Sequence, residues 1–305
     1  MSAQVCFAGA EVPQWARIAY AAGVRNFLFT AYPYVADRLR LPFFQVGPKG
    51  RCGHPLPPHR VLAETPGRVI MDSGLFTLLF GAGKNSSGKS DIFKWYDALV
   101  EYIRSLPFKP VCVEVDAQKI IGVEETWKLR ERFRDDLPGI RQINVIHQED
   151  GVASVDRMVE FADYVAVSCQ ETRIVYPGDY IPRLISLVRY IRSRKPGIKI
   201  HMLACTEEPL LKELSQDVTT ADSTSWLSIN RYGWGREGER PRQEALNKVC
   251  GEISRLNVDC GYSLAKNQKR AEYYATTYIA ARKFLRDYVE YTGPQISGEP
   301  ELGVK

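Results

Sequence analysis

Eight short runs of apolar and β-branched residues, separated by amphipathic stretches, constrain the fold of this chain more than any other feature. The runs are nearly continuous in apolar residues, as strands buried on both faces of a parallel sheet are. Their alternation with helical stretches predicts an α/β fold, and eight units favour a closed (β/α)₈ barrel of the TIM type over an open doubly wound sheet. The predicted strands are Gln4–Ala8, Asn26–Thr30, Arg68–Met71, Val111–Asp116, Gln142–His147, Tyr164–Ser168, Lys199–Cys205 and Asp217–Ala221.

The amphipathic stretches between the runs predict the helices of this barrel. They are Pro13–Ala22, Asp91–Ser105, Val123–Phe133, Val152–Ala162, Ile181–Arg194 and Glu207–Leu214. Beyond the eighth strand, Gln243–Arg255 and Ser263–Tyr288 predict a C-terminal helical extension. Glycine and proline between residues 43 and 66 predict one long loop. We therefore predict a single domain over residues 1–292 and a disordered tail over residues 293–305.

The composition is that of an ordinary globular protein, with 45% apolar and 25% charged residues. No apolar run approaches the roughly 18 residues of a membrane helix, and the first residues lack the pattern of a secretory signal. We therefore expect a cytoplasmic protein with no membrane partner. The seven cysteines are odd in number and scattered, which predicts free thiols in a reducing compartment. The net charge of +5 is compatible with a polyanionic partner.

Three aspartates, Asp72, Asp116 and Asp222, each follow an apolar run without a break. Catalytic groups of such barrels lie at the C-terminal ends of the strands, and a carboxylate there faces the pocket because burying an unpaired charge is costly. Two carboxylates suit glycosyl transfer, one attacking the anomeric carbon and the other moving protons. A third could accept hydrogen bonds from a purine. A helix N-cap or a turn former is the competing interpretation for each aspartate. His147, at a strand end, is predicted to be a pocket-wall residue with a satisfied ring, and a general acid or a ligand is the alternative.

Two basic clusters predict a nucleic-acid partner. Arginines interleaved with aromatic residues can neutralise phosphates and stack on unpaired bases, and a base must leave the stack before C1′ can be reached. A solvated loop is the alternative. The first cluster comprises Arg231, Tyr232, Trp234, Arg236 and Arg240, and the second comprises Lys266, Lys269 and Arg270.

Residues 83–90, GKNSSGKS, satisfy the phosphate-loop pattern G-x-x-x-x-G-K-[ST]. A nucleotide hydrolase that uses Gly83–Ser90 is therefore an alternative function. In the interpretation we favour, the segment is a flexible lid in which Lys84 and Lys89 contact phosphate. Plain solvated charge is the competing interpretation for both lysines.

Five motifs of the chain resemble, in the same order, those of the tRNA-guanine transglycosylases. The motifs are MDSG (71–74), VIHQ (145–148), YVAVSCQE (164–171), HMLAC (201–205) and TADSTSW (220–226). The Asp-Ser-Thr-Ser-Trp form is most similar to the DNA-directed branch, found in phages and bacterial genomic islands. Those enzymes exchange guanine in DNA for a 7-deazaguanine. The resemblance extends from about Arg68 to Trp226.

This resemblance implies a barrel fold and a role for each matched residue. Asp222 would be the nucleophile that attacks C1′ and expels guanine, and Asp72 would be the general base that deprotonates the incoming base. Asp116 and Gln148 would hold the Watson–Crick edge of the base. The full base-binding set that the resemblance implies is Ser73, Asp116, Gln148, Ser168, Cys169 and Met202. Ser168 and Cys169 stand in place of a Gly-Gly turn of the family, and Met202 would lie against the base plane.

The chain departs from the tRNA-modifying enzymes at their zinc site. Only Cys250 and Cys260 lie in the corresponding region, with no histidine after His201, and a tetrahedral site cannot be built from them. We therefore expect no zinc subdomain, no other metal and no cofactor. The expected partners are DNA and a 7-deazaguanine base. The same exchange on tRNA and a non-catalytic nucleic-acid-binding barrel remain alternatives.

Overall fold

Eight parallel strands close into a barrel in sequence order, with β1 paired to β8. The structure is a computed structural model that describes residues 3–41, 58–65, 67–75, 89–147, 150–205, 207–227 and 268–292. The strands are β1 (Gln4–Ala8), β2 (Asn26–Thr30), β3 (Arg68–Asp72), β4 (Val111–Val113), β5 (Arg141–Ile146), β6 (Tyr164–Ser168), β7 (Lys199–Leu203) and β8 (Thr220–Ser223). The predicted (β/α)₈ barrel is therefore confirmed.

Helices lie on the outside of the barrel, between the strands and after the last of them. They are α1 (Pro13–Ala21), α2 (Tyr32–Arg38), α3 (Pro58–Glu64), α4 (Lys89–Arg104), α5 (Gln118–Ile121), α6 (Val123–Asp136), α7 (Val152–Phe161), α8 (Cys169–Val175), α9 (Tyr180–Arg194), α10 (Glu208–Glu213) and α11 (Gln268–Thr292). A 3₁₀ turn follows β8 at Ser225–Leu227. The predicted helix 243–255 and the predicted tail 293–305 lie outside the described residues.

Several predicted boundaries were wrong, each for a local reason. The region 43–66 is not one loop throughout, because α3 occupies residues 58–64. The helices α2, α5 and α8 were missed because four to seven residues are too few to show a helical period. Strand β7 ends before Ala204, whose φ of 52° leaves the extended region. Strand β8 begins only at Thr220, because Asp217 and Val218 still donate to the carbonyl of Leu214.

The pleat of the strands decides which side chains point into the barrel. Its interior is a cluster that includes Cys6, Leu28, Ile70, Val113, Ile143, Val145, Tyr164 and Ala166. Successive side chains of a strand alternate between faces. Asp72, two residues beyond Ile70, is therefore on the interior face at the carboxyl end of β3. Asp222 is on the same face as Thr220, whose hydroxyl contacts that of Tyr164 inside the barrel.

A buried ion pair joins the barrel to α6. Arg130 donates from Nε to Oε2 of Glu114 at 2.7 Å and from Nη2 to Oε1 at 2.9 Å. Glu114 also accepts from Nδ2 of Asn144 at 2.6 Å and from the backbone amide of Val145 at 3.0 Å. Residues of β5 and α6 thus supply the donors that this buried carboxylate needs. These bonds hold the barrel wall next to Asp116 in place.

Helix α11 confirms the second helix of the predicted C-terminal extension, which was expected over Ser263–Tyr288 and spans Gln268–Thr292. It packs on α1, on the 3₁₀ turn and on β1. Phe284 meets the ring of Phe7 edge-on at 5.2 Å, and Phe7 lies 5.5 Å from the ring of Trp226. Trp226 donates from Nε1 to the carbonyl of Ala8 at 2.9 Å. The helix therefore covers the seam where the last strand meets the first.

Candidate active site at the carboxyl mouth of the barrel

The three aspartates singled out by the sequence meet at the carboxyl mouth of the barrel. Asp72 ends β3, Asp116 follows β4, and Asp222 lies in β8. Burial raises the pKa of Asp72 to about 6, and the negative charges of Asp222 and Asp116 add to this increase. Because each charge acts on the Asp72 carboxyl, the three groups form one electrostatic cluster.

Asp222 is held on one oxygen. Its Oδ1 accepts from the backbone amide of Ala204 at 2.9 Å and lies 3.1 Å from Nε2 of His201. Because a carboxylate oxygen only accepts, Nε2 of His201 is the donor to Asp222, and Nδ1 lies 2.7 Å from the Thr220 hydroxyl, which can donate or accept. The side chain of Asp222 is 11% exposed, whereas that of His201 is not exposed at all. Asp222 is thus a fixed carboxylate that still reaches the mouth.

The backbone around these aspartates carries strain that serves to orient them. Ala204 adopts a φ of 52°, a conformation that costs an L-residue roughly 1–2 kcal/mol, and its amide points at Asp222. Gly74 has a φ of 75°, and its amide donates to Oδ2 of Asp72 at 3.0 Å. A Cβ at Gly74 would lie 2.5 Å from the backbone nitrogen of Tyr32. Only glycine fits this turn, which explains the Asp-Ser-Gly sequence.

Asp116 belongs to a chain of alternating charges. Nε2 of His147 lies 2.8 Å from Oδ1 of Asp116, and Nδ1 of the same ring lies 3.2 Å from Oε2 of Glu171. The other carboxylate oxygen of Glu171 accepts from Lys119. Burial alone would lower the pKa of His147, but the two carboxylates outweigh it and raise the pKa to about 10. Burial alone would raise the pKa of Glu171, but the positive charges of His147 and Lys119 outweigh burial and lower the pKa to about 2. His147 is therefore an imidazolium with both ring nitrogens satisfied, as predicted.

The other predicted base-binding residues differ from one another in what their side chains and backbone contact. Ser73 is buried beside Asp72, and its carbonyl accepts from Nε1 of Trp95 at 3.0 Å. Ser168 caps α8, its Oγ accepting from the amide of Glu171 at 3.2 Å. Cys169 is the first residue of α8. Its thiol is buried, and both the burial and the neighbouring Cys205 raise its pKa. The Cys169 side chain thus points into the core, and recognition of a base by its backbone stays a prediction.

Met202 does not occupy the predicted position against a base. It is fully buried in the cluster between the strands and α7 to α10. The alternation of β7 places His201 and Leu203 on the other face, and Leu203 packs against the barrel interior. Met202 therefore faces away from the barrel interior, while its neighbours on β7 face into it, and the predicted contact of Met202 with a base was wrong.

The remaining predicted contacts lie outside what the structure describes. This holds for Gln148, for Lys84 and the rest of residues 83–88, and for the residues after the 3₁₀ turn that were predicted to bind the nucleic-acid backbone. Lys89, Lys269 and Arg270 lie in helices whose described part does not include their side chains. The residues concerned are Gln148, Lys84, Lys89, Arg231, Tyr232, Trp234, Arg236, Arg240, Lys266, Lys269 and Arg270.

Glu11 is a fourth carboxylate at the mouth that sequence reasoning missed. It lies between β1 and α1, and its Oε2 is buried without a hydrogen-bond partner among the described residues. Burial raises the pKa of Glu11 to about 7; the backbone amides of Glu11 and Thr30 oppose this, and the charge of Asp72 adds to it. An acidic residue just beyond the first apolar run was the available signal.

A cavity of about 450 Å³ opens beside His147. Its wall includes Asp150, Tyr176, Asp179 and Arg183. Asp150 ties the cavity to the site, because it accepts from the backbone amide of His147 at 2.9 Å and from Nε2 of Gln118 at 3.0 Å. The cavity therefore adjoins the chain of charges that ends at Asp116.

Neither a cluster of metal-ligating side chains nor a membrane-spanning helix is found among the described residues. The described part of the chain holds no group of three or more histidine, cysteine, aspartate and glutamate side chains arranged for a metal ion. Cys6, Cys112, Cys169 and Cys205 are free and buried, while Cys250 and Cys260 lie outside the described residues. None of the described helices combines the length and apolar character needed to span a bilayer.

Fold and site together define this chain as a parallel (β/α)₈ barrel with a carboxylate cluster at its carboxyl mouth. No protein-family model and no curated protein matches it. Among solved structures it is similar to QR15, an aldolase, with 13% identity and a TM-score of 0.41 over 75% of this chain and 95% of that one. It is also similar to a candidate lyase/mutase from Burkholderia cenocepacia J2315, with 13% identity and a TM-score of 0.32 over 86% of this chain and 85% of that one. Neither similarity assigns an activity.

Proposed function

We propose that this chain is an enzyme, a base-exchanging transglycosylase that replaces guanine in DNA with a 7-deazaguanine such as a 7-cyano or 7-aminomethyl form. The observation that carries the proposal is the pair formed by Asp222 and Asp72. Asp222 is anchored through Oδ1 by Ala204 and His201, and its charge helps to raise the pKa of Asp72 to about 6. A fixed carboxylate beside one with a near-neutral pKa suits a nucleophile and a proton carrier.

The first half of the reaction uses the free side of Asp222. Because Oδ1 is engaged, Oδ2 attacks C1′ while the bond from C1′ to N9 of guanine breaks. Positive charge develops on the sugar in such a transition state. The carboxylates of the mouth stabilise this charge without reorganising, because His201, Gly74 and Ala204 already fix them.

The second half of the reaction uses Asp72 as a base. The incoming 7-deazaguanine loses its N9 proton to Asp72, and N9 attacks C1′ and releases Asp222. A carboxyl group with a pKa of about 6 is mostly ionised at neutral pH and still accepts a proton readily. The two aspartates therefore have unequal roles, one covalent and one in proton transfer.

Asp116 suits recognition of the base. Its Oδ1 is held by the His147 imidazolium, which fixes the orientation of the carboxylate, and its side chain is 32% exposed at the mouth. A carboxylate accepts hydrogen bonds only, as the N1 and N2 donors of guanine require. Both the outgoing guanine and the incoming 7-deazaguanine present these donors, so one residue serves both halves.

Release of labelled guanine tests both the proposed activity and which nucleic acid is its substrate. The protein is incubated with guanine-labelled duplex DNA, single-stranded DNA or tRNA, each with and without a 7-deazaguanine base. We expect release from DNA that is stimulated by the added base and is absent in Asp72→Asn. Asp163→Asn, whose carboxylate is 90% exposed just before β6 at the opposite end of the barrel, is the matched control and should release guanine normally. Release from tRNA alone would transfer the proposal to tRNA, and no release from any polymer would overturn it.

A further inference from the structure

Glu11 and Asp72 are linked through a single residue of β2. The backbone amide of Thr30 lies close enough to the Glu11 carboxylate to favour its charged form. Thr30 is the register partner of Asp72 across the β2–β3 pair, and the next amide, that of Ala31, donates to the Asp72 carbonyl at 2.8 Å. Glu11 is therefore tied to the same point of the mouth as the proposed proton carrier.

The surroundings of Glu11 favour a neutral carboxylic acid. Its Oε2 is buried without a partner in the part of the chain that is described, and a buried charge without a partner is costly. Among the residues that the structure describes, the titratable groups that act on Glu11 or respond to it are Asp72 on β3 and Tyr34 on α2. Neither supplies a positive charge, so neither favours ionisation. Asp72 in turn is influenced by Asp222, Asp116 and His201.

We infer that Glu11 stores, together with Asp72, the one proton that the exchange reaction moves between the outgoing and the incoming base. This inference rests on the proposed function. Glu11 acts through Asp72 and is therefore a positioning residue for the proton, not a group that contacts the sugar.

The proton balance closes without any other donor or acceptor. In the first half, the proton leaves Glu11 for Asp72 and passes to the departing guanine, as the N9–C1′ bond breaks and the bond from Asp222 to C1′ forms. In the second half, the N9 proton of the incoming base passes to Asp72 and returns to Glu11. The new N9–C1′ bond forms and the bond from Asp222 to C1′ breaks, which restores the starting state.

The charge of the mouth also stays constant in this scheme. Before the first half, Asp222 and Asp72 are ionised and Glu11 is neutral. Afterwards Asp222 is a neutral ester, while Glu11 and Asp72 are ionised. Two of these three carboxylates carry a charge in both states, so neither half of the reaction adds a negative charge to the mouth, where like charges repel one another strongly at low dielectric.

The test is the pH dependence of single-turnover guanine release from labelled DNA. In the wild type we expect release to slow as pH rises above about 7, because Glu11 loses its proton. Glu11→Gln should lower the rate at neutral pH by about tenfold or more and remove this alkaline fall. Glu11→Asp, which keeps an acid at the position, should restore part of the alkaline fall. Glu101→Gln, an exposed glutamate on α4, is the matched control and should behave as the wild type.

The outcomes separate this inference from the proposed function. If the wild type releases guanine and Glu11→Gln keeps the wild-type rate and pH profile, the proton-storage role is overturned and the transglycosylase stands. If Glu11→Gln and Glu11→Asp lose rate equally and share one unchanged pH profile, Glu11 is merely structural. If the wild type releases no guanine from any polymer, the proposed function fails and this inference fails with it.

Discussion

The ring of His201 and the carboxylate of Asp222 lie 3.1 Å apart on neighbouring strands, with the histidine side chain wholly enclosed in the barrel wall. Because Thr220 binds the opposite ring nitrogen, the imidazole cannot turn away from the carboxylate. The nucleophile proposed here is therefore oriented by the barrel itself and not by a surface loop.

Removing the His201 ring tests this orientation. His201→Ala should slow formation of the covalent adduct by about 10- to 100-fold, since misplacement of a reacting group by about 1 Å costs on that order. Binding of DNA should be nearly unchanged. His201→Asn, which keeps a donor, should recover part of the rate. Rapid-quench assays measure the adduct, and equal losses in adduct formation and DNA binding would contradict an orienting role.

Asp116→Asn tests the assignment of Asp116 to base recognition. The amide presents a donor to guanine where an acceptor is needed, and it leaves the His147 imidazolium without one of its two carboxylate partners. We expect base exchange to fall by at least about 100-fold, with only a small change in the Kd for DNA measured by fluorescence anisotropy. Matching losses in both quantities would count against this role.

The proton-accepting step should depend on the ionisation of Asp72. Below a pH of about 6, Asp72 is protonated and cannot accept the N9 proton, so the chase of preformed adduct by a 7-deazaguanine should speed up as pH rises through about 6. Asp72→Asn should form little adduct, because it cannot pass a proton to the departing guanine, and any adduct that forms should not be chased. A chase rate independent of pH between about 5 and 8 would refute the assignment.

The free energy of unfolding should depend on pH because of the buried Glu11. Its pKa rises from the ordinary 4.5 to about 7 in the folded protein, so the folded state binds this proton more tightly than the unfolded chain. The stabilisation is fully present below about pH 4.5 and is lost as pH rises through about 7, by up to roughly 3 kcal/mol. Urea unfolding at pH 5 and pH 8 should show a smaller difference for Glu11→Gln than for the wild type. An undiminished difference would place the effect on another group.

The buried pair of Glu114 and Arg130 should stabilise the wall beside Asp116. Arg130→Met leaves the Glu114 carboxylate, 1% exposed, without its ionic partner, and should cost about 3–5 kcal/mol in the free energy of unfolding. Arg132→Met on the same helix breaks ion pairs that are about half exposed and should cost less than about 1 kcal/mol. Chemical denaturation measures both, and similar costs would contradict a special role for the buried pair.

The sequence allowed prediction of the barrel and its aspartates because both depend on local patterns. Asp72 and Asp222 follow apolar runs directly, so their strands determine where they lie. The link between His147 and Asp116 joins β5 to the end of β4 and leaves no mark in local spacing. Glu11 was missed because it follows its strand after a turn at Gly9, whose φ is 84°. Met202 was misplaced because the alternation along β7 turns it to the face opposite Leu203, away from the barrel interior.

The central claim is that Asp222 forms a covalent bond to the sugar, and intact-protein mass spectrometry after denaturation tests it most directly. Wild-type protein incubated with guanine-containing DNA in the absence of a replacement base should gain the mass of one strand less one guanine. Asp222→Asn should bind the same DNA and gain none. An adduct that persists in Asp222→Asn, or its absence from the wild type with DNA and tRNA alike, would contradict the account.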